Sequence, residues 1–276
     1  MDEPWENLLI LDGCRYDVFE ETHRLEGTLS SVESRGSNSE EFITENFSGR
    51  TFHDTVYVSA NPFTEVLIED GVFHDVVNVF DLAWDEDLRT VTPDAVVEHT
   101  RKAYERYPDK RIISHFMQPH YPFIGETGRK MSHRGLSGEV TELDRKADSA
   151  DLPIWTMLRY RLSEATLEEV WTAYAENLAL VLPAVEELLD VLEGKSVVTA
   201  DHGNLFGEKV RPLPIRTYGH PPGFRTPELV TVPWFVPPFE RHRSVRSDPP
   251  QVAADDAGDG SDDARIEQRL RDLGYV

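Results

Sequence analysis

The sequence predicts an α/β fold in which a mostly parallel central sheet carries helices on both faces. Short apolar runs, typical of buried strands, alternate along the chain with helical patterns. Several of these runs end directly in polar residues, as strands do at the ligand-binding edge of a parallel sheet. The 276 residues, of which 39% are hydrophobic, suffice for one large α/β domain, with or without a tail.

Six segments are predicted to be strands because they are short and mainly apolar, and they cover residues 8–11, 55–59, 75–80, 111–117, 196–200 and 229–236. Four longer segments are predicted to be helices, and they cover residues 17–25, 39–47, 93–107 and 166–193. Pro93 suits the first turn of its helix, and Gly194 is expected to cap the last helix. Pro183 is expected to kink or split that last helix.

The chain divides into a main domain and a tail. Residues 1–246 form the predicted domain, and within it residues 124–162 are polar and irregular, which favours a long insertion or lid. Residues 247–264 read SDPPQVAADDAGDGSDDA, a composition typical of a disordered acidic linker. The C-terminal segment 265–276 is expected to contain a short helix over residues 265–273.

The charge of the chain excludes some partners. There are 28 basic and 51 acidic residues, a net charge of −23, so the surface repels nucleic acid and anionic membranes. No run approaches the roughly 18 apolar residues of a membrane-spanning helix, and we expect no stable membrane insertion. Cys14 is a single cysteine, which rules out an internal disulfide. Together these features predict a soluble, cytoplasmic protein.

Polar residues with metal-ligating chemistry follow two of the predicted strands. Asp12 follows the first strand, and Asp201 and His202 follow the strand over residues 196–200. Two carboxylates and an imidazole at neighbouring strand ends suit a divalent cation, and Zn, Mn, Mg and Ca all accept such ligands. Taken alone, Asp12 could instead be a turn or cap residue, and Asp201, His202 and Gly203 could form a tight turn.

A serine nucleophile is expected at the start of the helix over residues 39–47. A helix N-terminus offers free backbone N–H groups and a positive dipole end, which suit an oxyanion. Ser37 with Glu40 fits a capping box, which explains Ser37 structurally and makes Ser39 the preferred nucleophile, with Ser37 next. Serines at helix starts are usually caps, so the structural alternative stays open for both.

Three histidines and one arginine complete the candidate site. His120 and His220 lie in loops constrained by prolines, where an imidazole could donate to an ester oxygen or protonate a leaving group. His115 is expected to face the core. Arg15 could clamp an anion, or could form a salt bridge to Asp17 or another nearby acid.

Five segments, in order, resemble the alkaline phosphatase/sulfatase superfamily. LLILDGCRYD resembles its first metal-ligand strand, HFMQPHYPF its central histidine loop, and VVTADHGNLFGE its Thr-Ala-Asp-His-Gly signature, the most specific match. GHPPGFRTPELVTVPWFV resembles the late histidine and following strand, and IEQRLRDLGYV resembles the C-terminal helix. The resemblance spans the chain except residues 124–162 and the acidic linker, and it implies an alkaline phosphatase-like catalytic domain.

The resemblance also implies roles for single residues. Asp12, Asp201 and His202 match metal ligands, and Ser39 stands near the position of the nucleophile, which also binds the metal. His120 and His220 match histidines on the substrate side or at a second metal. One divalent metal site is therefore expected.

One departure from the family bears on the chemistry. Formylglycine-type sulfatases carry a Cys/Ser-x-Pro-x-Arg motif, but Cys14 lies elsewhere, and neither Ser37 nor Ser39 is followed by that Pro and Arg. Phosphoryl chemistry is therefore favoured over formylglycine-type sulfatase chemistry.

The favoured hypothesis is a metal-dependent hydrolase or transferase that acts on a phosphate or sulfate ester through a serine nucleophile. The expected substrate is a small-molecule, glycan or lipid ester. Two alternatives stay open: a transferase that moves a phosphoryl-linked group onto a glycan or lipid, and a non-catalytic binding module on the same fold.

Overall fold

A computed structural model describes residues 4–131, 154–210, 215–250 and 268–273. The strands are β1 (Asn7–Leu11), β2 (Thr28–Glu33), β3 (Phe52–Ser59), β4 (Phe73–Asn78), β5 (Trp84–Asp85), β6 (Thr90–Val91), β7 (Arg111–Phe116), β8 (Ser196–Ala200), β9 (Leu205–Val210), β10 (Ile215–Gly219) and β11 (Thr231–Val236). The helices are α1 (Tyr16–Thr22), α2 (Ser39–Phe47), α3 (Phe63–Leu67), α4 (Val79–Leu82), α5 (Pro93–Arg106), α6 (Glu126–Lys130), α7 (Ile154–Tyr160), α8 (Leu167–Val191) and α9 (Pro227–Val230).

Seven strands form the central sheet in the order β2-β11-β8-β1-β7-β3-β4. The neighbours from β8 across to β4 all pair in parallel, whereas β11 pairs antiparallel with both β8 and β2. The predicted α/β fold with a mostly parallel sheet is confirmed. All five residues of β1 are buried, because this strand lies between β7 and β8 and is covered on both faces.

Helices cover both faces of the sheet, and the alternation of side chains along β1 separates the two cores. Leu9 and Leu11 point to the larger core, which contains buried residues of α1, α5 and α8. Leu8 and Ile10 point to the smaller core, which contains buried residues of α2. The continuous apolar run in β1 is therefore a requirement of burial on two sides.

The longest helix, α8, runs without interruption from residue 167 to residue 191 and begins with a capping box formed by Thr166 and Glu169. Pro183 was expected to kink or split this helix, and the helix is not split. Val181 and Ala184 are buried on either side of the proline, and we infer that this packing holds both halves of the helix in place. The helix is capped by Leu192, and Gly194 has a φ of +92° two residues later.

Several elements were absent from the sequence prediction. β2 is largely exposed and polar, so it lacks the apolar signal of a strand and depends on its pairing with β11. The antiparallel pair of β9 and β10 was also missed. The segment over residues 124–162 is not irregular throughout, because α6 and α7 lie within it and Trp155 is buried. Residues 132–153 of that predicted lid lie outside the described residues.

The end of the main domain crosses the amino-terminal side of the sheet. The buried Lys110 Nζ donates to the Arg246 carbonyl at 2.9 Å and to Asp248 Oδ2 at 3.0 Å. Arg243 donates to the Lys110 carbonyl at 3.0 Å. Asp248 is thus attached to the domain, so the predicted linker over 247–264 starts too early, and its residues 251–264 lie outside the described part.

The predicted C-terminal helix over 265–273 is described in part. Residues 268–272 are helical, and Leu270 and Leu273 belong to the larger core. Among the described residues, no helix combines the length and apolar character needed to cross a membrane.

Truncation of Leu178 should test the packing of α8 on the sheet. Leu178 is 0% exposed, and removal of its side chain to Ala should lower the free energy of unfolding by about 2–5 kcal/mol. Leu180 on the same helix is 45% exposed, so Leu180→Ala is the matched control. It should change the free energy of unfolding by less than about 0.5 kcal/mol. Urea unfolding of both variants gives the comparison, and equal losses would contradict this packing.

Candidate metal centre and active site

Asp12 and Asp201 lie side by side because β1 and β8 are neighbours in register. Leu11 pairs with Ala200, so the residue after each strand leaves the sheet at the same point. Both carboxylates are completely buried. Asp201 Oδ1 accepts the backbone N–H of Gly13 at 2.9 Å and that of His202 at 2.9 Å. These bonds fix one oxygen of Asp201 and leave Oδ2 for the centre of the site.

His202 presents its Nε2 atom to both carboxylates. Its Nδ1 lies 2.7 Å from the Gly203 carbonyl, which can only accept, so Nδ1 carries the hydrogen. Nε2 is 3.4 Å from Asp201 Oδ2 and 3.6 Å from Asp12 Oδ1. In the neutral ring this atom bears a lone pair, the form in which histidine binds a metal.

The turn after β8 packs too closely for any residue other than glycine at position 203. A Cβ on Gly203 would overlap the backbone carbonyl oxygen of Glu228. The Gly203 N–H donates to the Leu229 carbonyl at 2.7 Å, and the Asn204 N–H donates to the Glu228 carbonyl at 3.1 Å. Helix α9, directly before β11, therefore holds the turn that carries Asp201 and His202.

Ser39 is the first residue of α2, and its hydroxyl reaches the same point. Oγ donates to Asp201 Oδ2 at 2.7 Å and lies 3.4 Å from Asp12 Oδ2 and 3.3 Å from His202 Nε2. The side chain is 0% exposed. The cap of this helix is Asn38, whose side chain accepts the N–H of Glu41. This capping arrangement leaves the Ser39 hydroxyl to the site.

Ser37 lies outside this cluster. The capping box that we expected between Ser37 and Glu40 is wrong, because Asn38 caps the helix and Ser37 bonds to Glu41 instead. The Ser37 hydroxyl donates to Glu41 Oε2 at 2.8 Å and also lies 3.2 Å from the Pro221 carbonyl. The helix begins one residue later than that capping box requires.

The donor atoms suit a divalent cation. One ligand atom each from Asp12, Asp201 and His202 lies within 4.8 Å of the others, and all three residues are buried. Two carboxylates and a neutral imidazole are ligands that Zn²⁺ and other divalent ions accept. Two buried negative charges this close require a compensating positive charge, which a divalent cation would supply.

His120 and His220 form a pair beside this cluster. Their Nε2 atoms are 2.8 Å apart, and the rings of His202 and His220 are 4.6 Å apart between centroids. His120 Nδ1 lies 2.6 Å from the Tyr121 carbonyl and therefore carries a hydrogen. If both rings are neutral, His120 Nε2 accepts and His220 Nε2 donates.

Burial keeps His115, His120 and His220 uncharged at neutral pH. It lowers the pKa of His115 to about 4 and that of His120 to about 4. The pKa of His220 is also lowered, first by burial and then by His202 and His120. For Asp201, burial acts in the opposite sense, but the pKa is lowered overall because His202 and His115 face the carboxylate. The site therefore combines an anionic Asp201 carboxylate with three neutral imidazoles.

Arg15 is held by carboxylates of this chain. Its guanidinium contacts Asp17 at 2.6 Å and Glu208 at 2.5 Å, and it also donates to the Asn204 carbonyl at 3.1 Å. It lies 5.1 Å from the centroid of the Trp171 ring. The salt-bridge alternative is thus the arrangement observed, and an anion clamp would require these bonds to break.

The sequence reasoning missed two residues next to the ligands. Asn61 donates to Asp12 Oδ2 at 2.6 Å, and it follows β3 just as Asp12 follows β1. His115 was expected to face the core, but its Nε2 lies 3.7 Å from Asp201 Oδ2, while its Nδ1 lies 2.9 Å from the Tyr57 hydroxyl. Position after a parallel strand could have identified Asn61, whereas the orientation of His115 depends on the register of β7.

No protein-family profile and no curated protein sequence matches this chain. Solved structures do match its fold. The lipooligosaccharide phosphoethanolamine transferase A from Neisseria meningitidis, an integral membrane protein, matches with a TM-score of 0.50 and 12% identity over 85% of this chain. This chain spans 48% of that protein, about half of its length.

Two further structures match. BT4656, solved with its substrate D-glucosamine-2-N,6-O-disulfate, has a TM-score of 0.50 and 12% identity over 86% of this chain and 71% of its own. A protein of the alkaline phosphatase superfamily from Vibrio parahaemolyticus has a TM-score of 0.43 and 10% identity over 86% of this chain and 61% of its own. This chain shares its fold with the phosphoethanolamine transferase and with BT4656, and at 12% identity the likeness extends to the fold alone.

Replacement of Asp12 should separate the destabilising effect of its buried charge from its role in binding a cation. In chelator-treated protein, Asp12→Asn should raise the melting temperature, because it removes one of two neighbouring buried charges. A divalent ion at about 100 times its Kd should stabilise the wild type by about 2.7 kcal/mol, whereas the variant should lose most of this gain. Thermal unfolding with and without Zn²⁺ or Mn²⁺ checks both effects. Asp70→Asn, at an exposed position, is the control, and an undiminished ion effect in Asp12→Asn would rule out the site.

The lowered histidine pKa values predict how stability depends on pH. Because His120 has a pKa of about 4 when folded and an ordinary value of 6.5, the unfolded chain binds more protons between these values. Stability should therefore fall as the pH drops from 6.5 towards 4, by up to about 1.4 kcal/mol per pH unit for each such histidine. His120→Gln should reduce the slope by about one proton in chelator-treated protein. Urea unfolding between pH 5 and 7 measures this slope, and an unchanged slope would contradict the assignment.

Proposed function

We propose that this protein is a metal-dependent hydrolase or transferase that cleaves phosphate or sulfate esters with Ser39 as nucleophile. The observation that carries the proposal is the Ser39 hydroxyl, which lies 2.7 Å from Asp201 Oδ2 within the cluster that Asp12 and His202 complete. A hydroxyl at this position is held where a cation bound by these residues would increase its acidity.

In this proposal the chain's own groups prepare Ser39 for attack. Asp201 Oδ2 accepts the hydrogen bond of the hydroxyl and orients Oγ. The position at the first turn of α2 adds backbone N–H groups and the positive end of the helix dipole, both of which favour an anion. Attack forms a bond from Ser39 Oγ to phosphorus or sulfur and breaks the bond to the leaving oxygen. The proton of the hydroxyl passes to Asp201 Oδ2, which already accepts its hydrogen bond, and the leaving oxygen takes a proton from water. Water or an acceptor alcohol then releases the group from Ser39.

The histidine pair acts on the substrate side. With lowered pKa values, His120 and His220 are neutral at pH 7, so His220 Nε2 serves as the hydrogen-bond donor to a non-bridging oxygen while the hydrogen of His120 stays on Nδ1. His220 Nε2 donates a hydrogen bond to His120, and an ester oxygen can replace His120 as the acceptor.

Hydrolysis and transfer are tested by the same assay. The two structures with a TM-score of 0.50 are named for a phosphoethanolamine transferase and for a complex with a sulfated sugar, and at 12% identity each shares only the fold. Product analysis with and without added glycerol separates the two reactions, since a transferase forms a new ester. A panel of nitrophenyl phosphate, bis(nitrophenyl) phosphate and nitrophenyl sulfate defines the ester class.

Ser39→Ala should lower turnover by about 10³-fold or more, because the covalent step is lost. The affinity for Zn²⁺ or Mn²⁺ should fall far less, since Asp12, Asp201 and His202 remain. Nitrophenol release and calorimetric metal titration measure the two effects. Ser48→Ala, at the other end of α2, is the control, and Ser37→Ala should cost much less than Ser39→Ala. Full turnover by Ser39→Ala would exclude it as nucleophile, and metal binding without turnover in the wild type would favour a binding module.

A further inference from the structure

The candidate site is assembled from separate parts of the chain that have to be held in register. Ser39 comes from α2, whereas His220 comes from the loop that follows β10. The sheet fixes Asp12 and Asp201 through the pairing of β1 and β8, but that pairing does not reach the His220 loop. Some contact outside the ligand cluster must therefore set the position of His220 relative to Ser39.

Glu41 makes this contact from the first turn of α2. Its Oε1 accepts the backbone N–H of Gly223 at 2.6 Å, three residues after His220. Its Oε2 accepts the N–H of Ser37 at 2.9 Å and the Ser37 hydroxyl at 2.8 Å. One carboxylate thus joins both sides of the junction between the helix start and the loop. Hydrogen bonds to a charged acceptor are the stronger class.

A second, more exposed contact supports the same junction. Arg225 donates to the Arg35 carbonyl at 2.9 Å and to the Ser34 carbonyl at 2.7 Å. Its ion pair with Glu33 is exposed and therefore contributes little to stability. The Ser34 hydroxyl in turn donates to the Asp201 carbonyl, so the junction continues to the metal-ligand turn.

We propose that Glu41 is a positioning residue that holds the His220 loop against the helix carrying Ser39. Its role is to keep the His120–His220 pair at the correct distance from the nucleophile. Glu41 contacts neither the ligand cluster nor the substrate in this scheme and acts through His220. The inference rests on the proposed function, but the loop contact itself can be tested without turnover.

Glu41→Gln is the first variant, and Glu40→Gln is its matched control because Glu40 is the exposed neighbour on the same helix. Glutamine has nearly the same shape as glutamate, but its single acceptor oxygen cannot accept from both Ser37 and Gly223 as the two carboxylate oxygens do. We expect kcat to fall by about 10–100-fold with little change in KM or in Zn²⁺ affinity. Glu40→Gln should leave all three unchanged. A loss of Zn²⁺ affinity as large as the loss of kcat would overturn the proposal.

Glu41→Asp separates the charge from the reach of the side chain. Aspartate keeps the charge but is one methylene shorter, so it cannot bond to Ser37 and Gly223 together. It should lose about as much kcat as Glu41→Gln. Full activity of Glu41→Asp would mean that only the charge matters, which contradicts a positioning role.

A double-variant cycle tests whether Glu41 acts through His220. In the His220→Ala background, Glu41→Gln should lower kcat by less than about twofold, because the ring that it positions is absent. An equal loss of kcat in both backgrounds would show a general structural effect and would overturn the proposal.

Hydrogen exchange tests the contact independently of activity. The amides of His220, Gly223, Phe224 and Arg225 should exchange faster in Glu41→Gln than in the wild type or in Glu40→Gln, since the Gly223 N–H loses its acceptor. If the wild type turns over no ester with any divalent ion, the proposed function fails while this measurement still decides the loop contact. Unchanged exchange in this loop would refute the role of Glu41.

Discussion

Two buried carboxylates held side by side are the constraint on which the rest of this structure depends. Parallel pairing of β1 with β8 places Asp12 next to Asp201, and both are fully buried. Like charges in a medium of low dielectric repel strongly, so each oxygen needs a donor or a cation. The amides of Gly13 and His202 donate to one oxygen of Asp201, and Asn61 donates to Asp12. The remaining carboxylate oxygens face a single point, which the Ser39 hydroxyl also reaches.

The electrostatics of the neighbouring groups follow from this arrangement. The surrounding imidazoles are buried, and burial keeps His115, His120 and His220 uncharged. The nearby guanidinium of Arg15 is already paired with acids of the chain. The overall charge of −23 adds an opposing field for any anionic substrate. A divalent cation in the cluster would therefore be the main local attraction for an anionic ester.

Sequence reasoning recovered what burial on both faces of a strand dictates. β1 and β8 are buried along their whole length, and their ends bring Asp12, Asp201 and His202 together. It missed β2, because a polar edge strand is defined by its partner β11 and not by its own pattern. His115 is fully buried, as expected, but its closeness to Asp201 went unrecognised for a related reason, since the direction of a side chain on β7 depends on register with β1 and β3. The expected cap of α2, Ser37, lies one residue before the observed cap, Asn38.

The tight packing at Gly203 limits how this site can change in evolution or in the laboratory. With the carbonyl of Glu228 pressed against Gly203, a larger residue would push α9 and the start of β11 away from the ligand turn. Random libraries that include residues 201–204 should consequently return mostly misfolded clones. New substrate preferences would have to arise from the exposed side chains of the loop over residues 221–225, whereas Gly223 itself must stay glycine because its φ is +78°. The same catalytic centre could in this way serve different esters without being rebuilt.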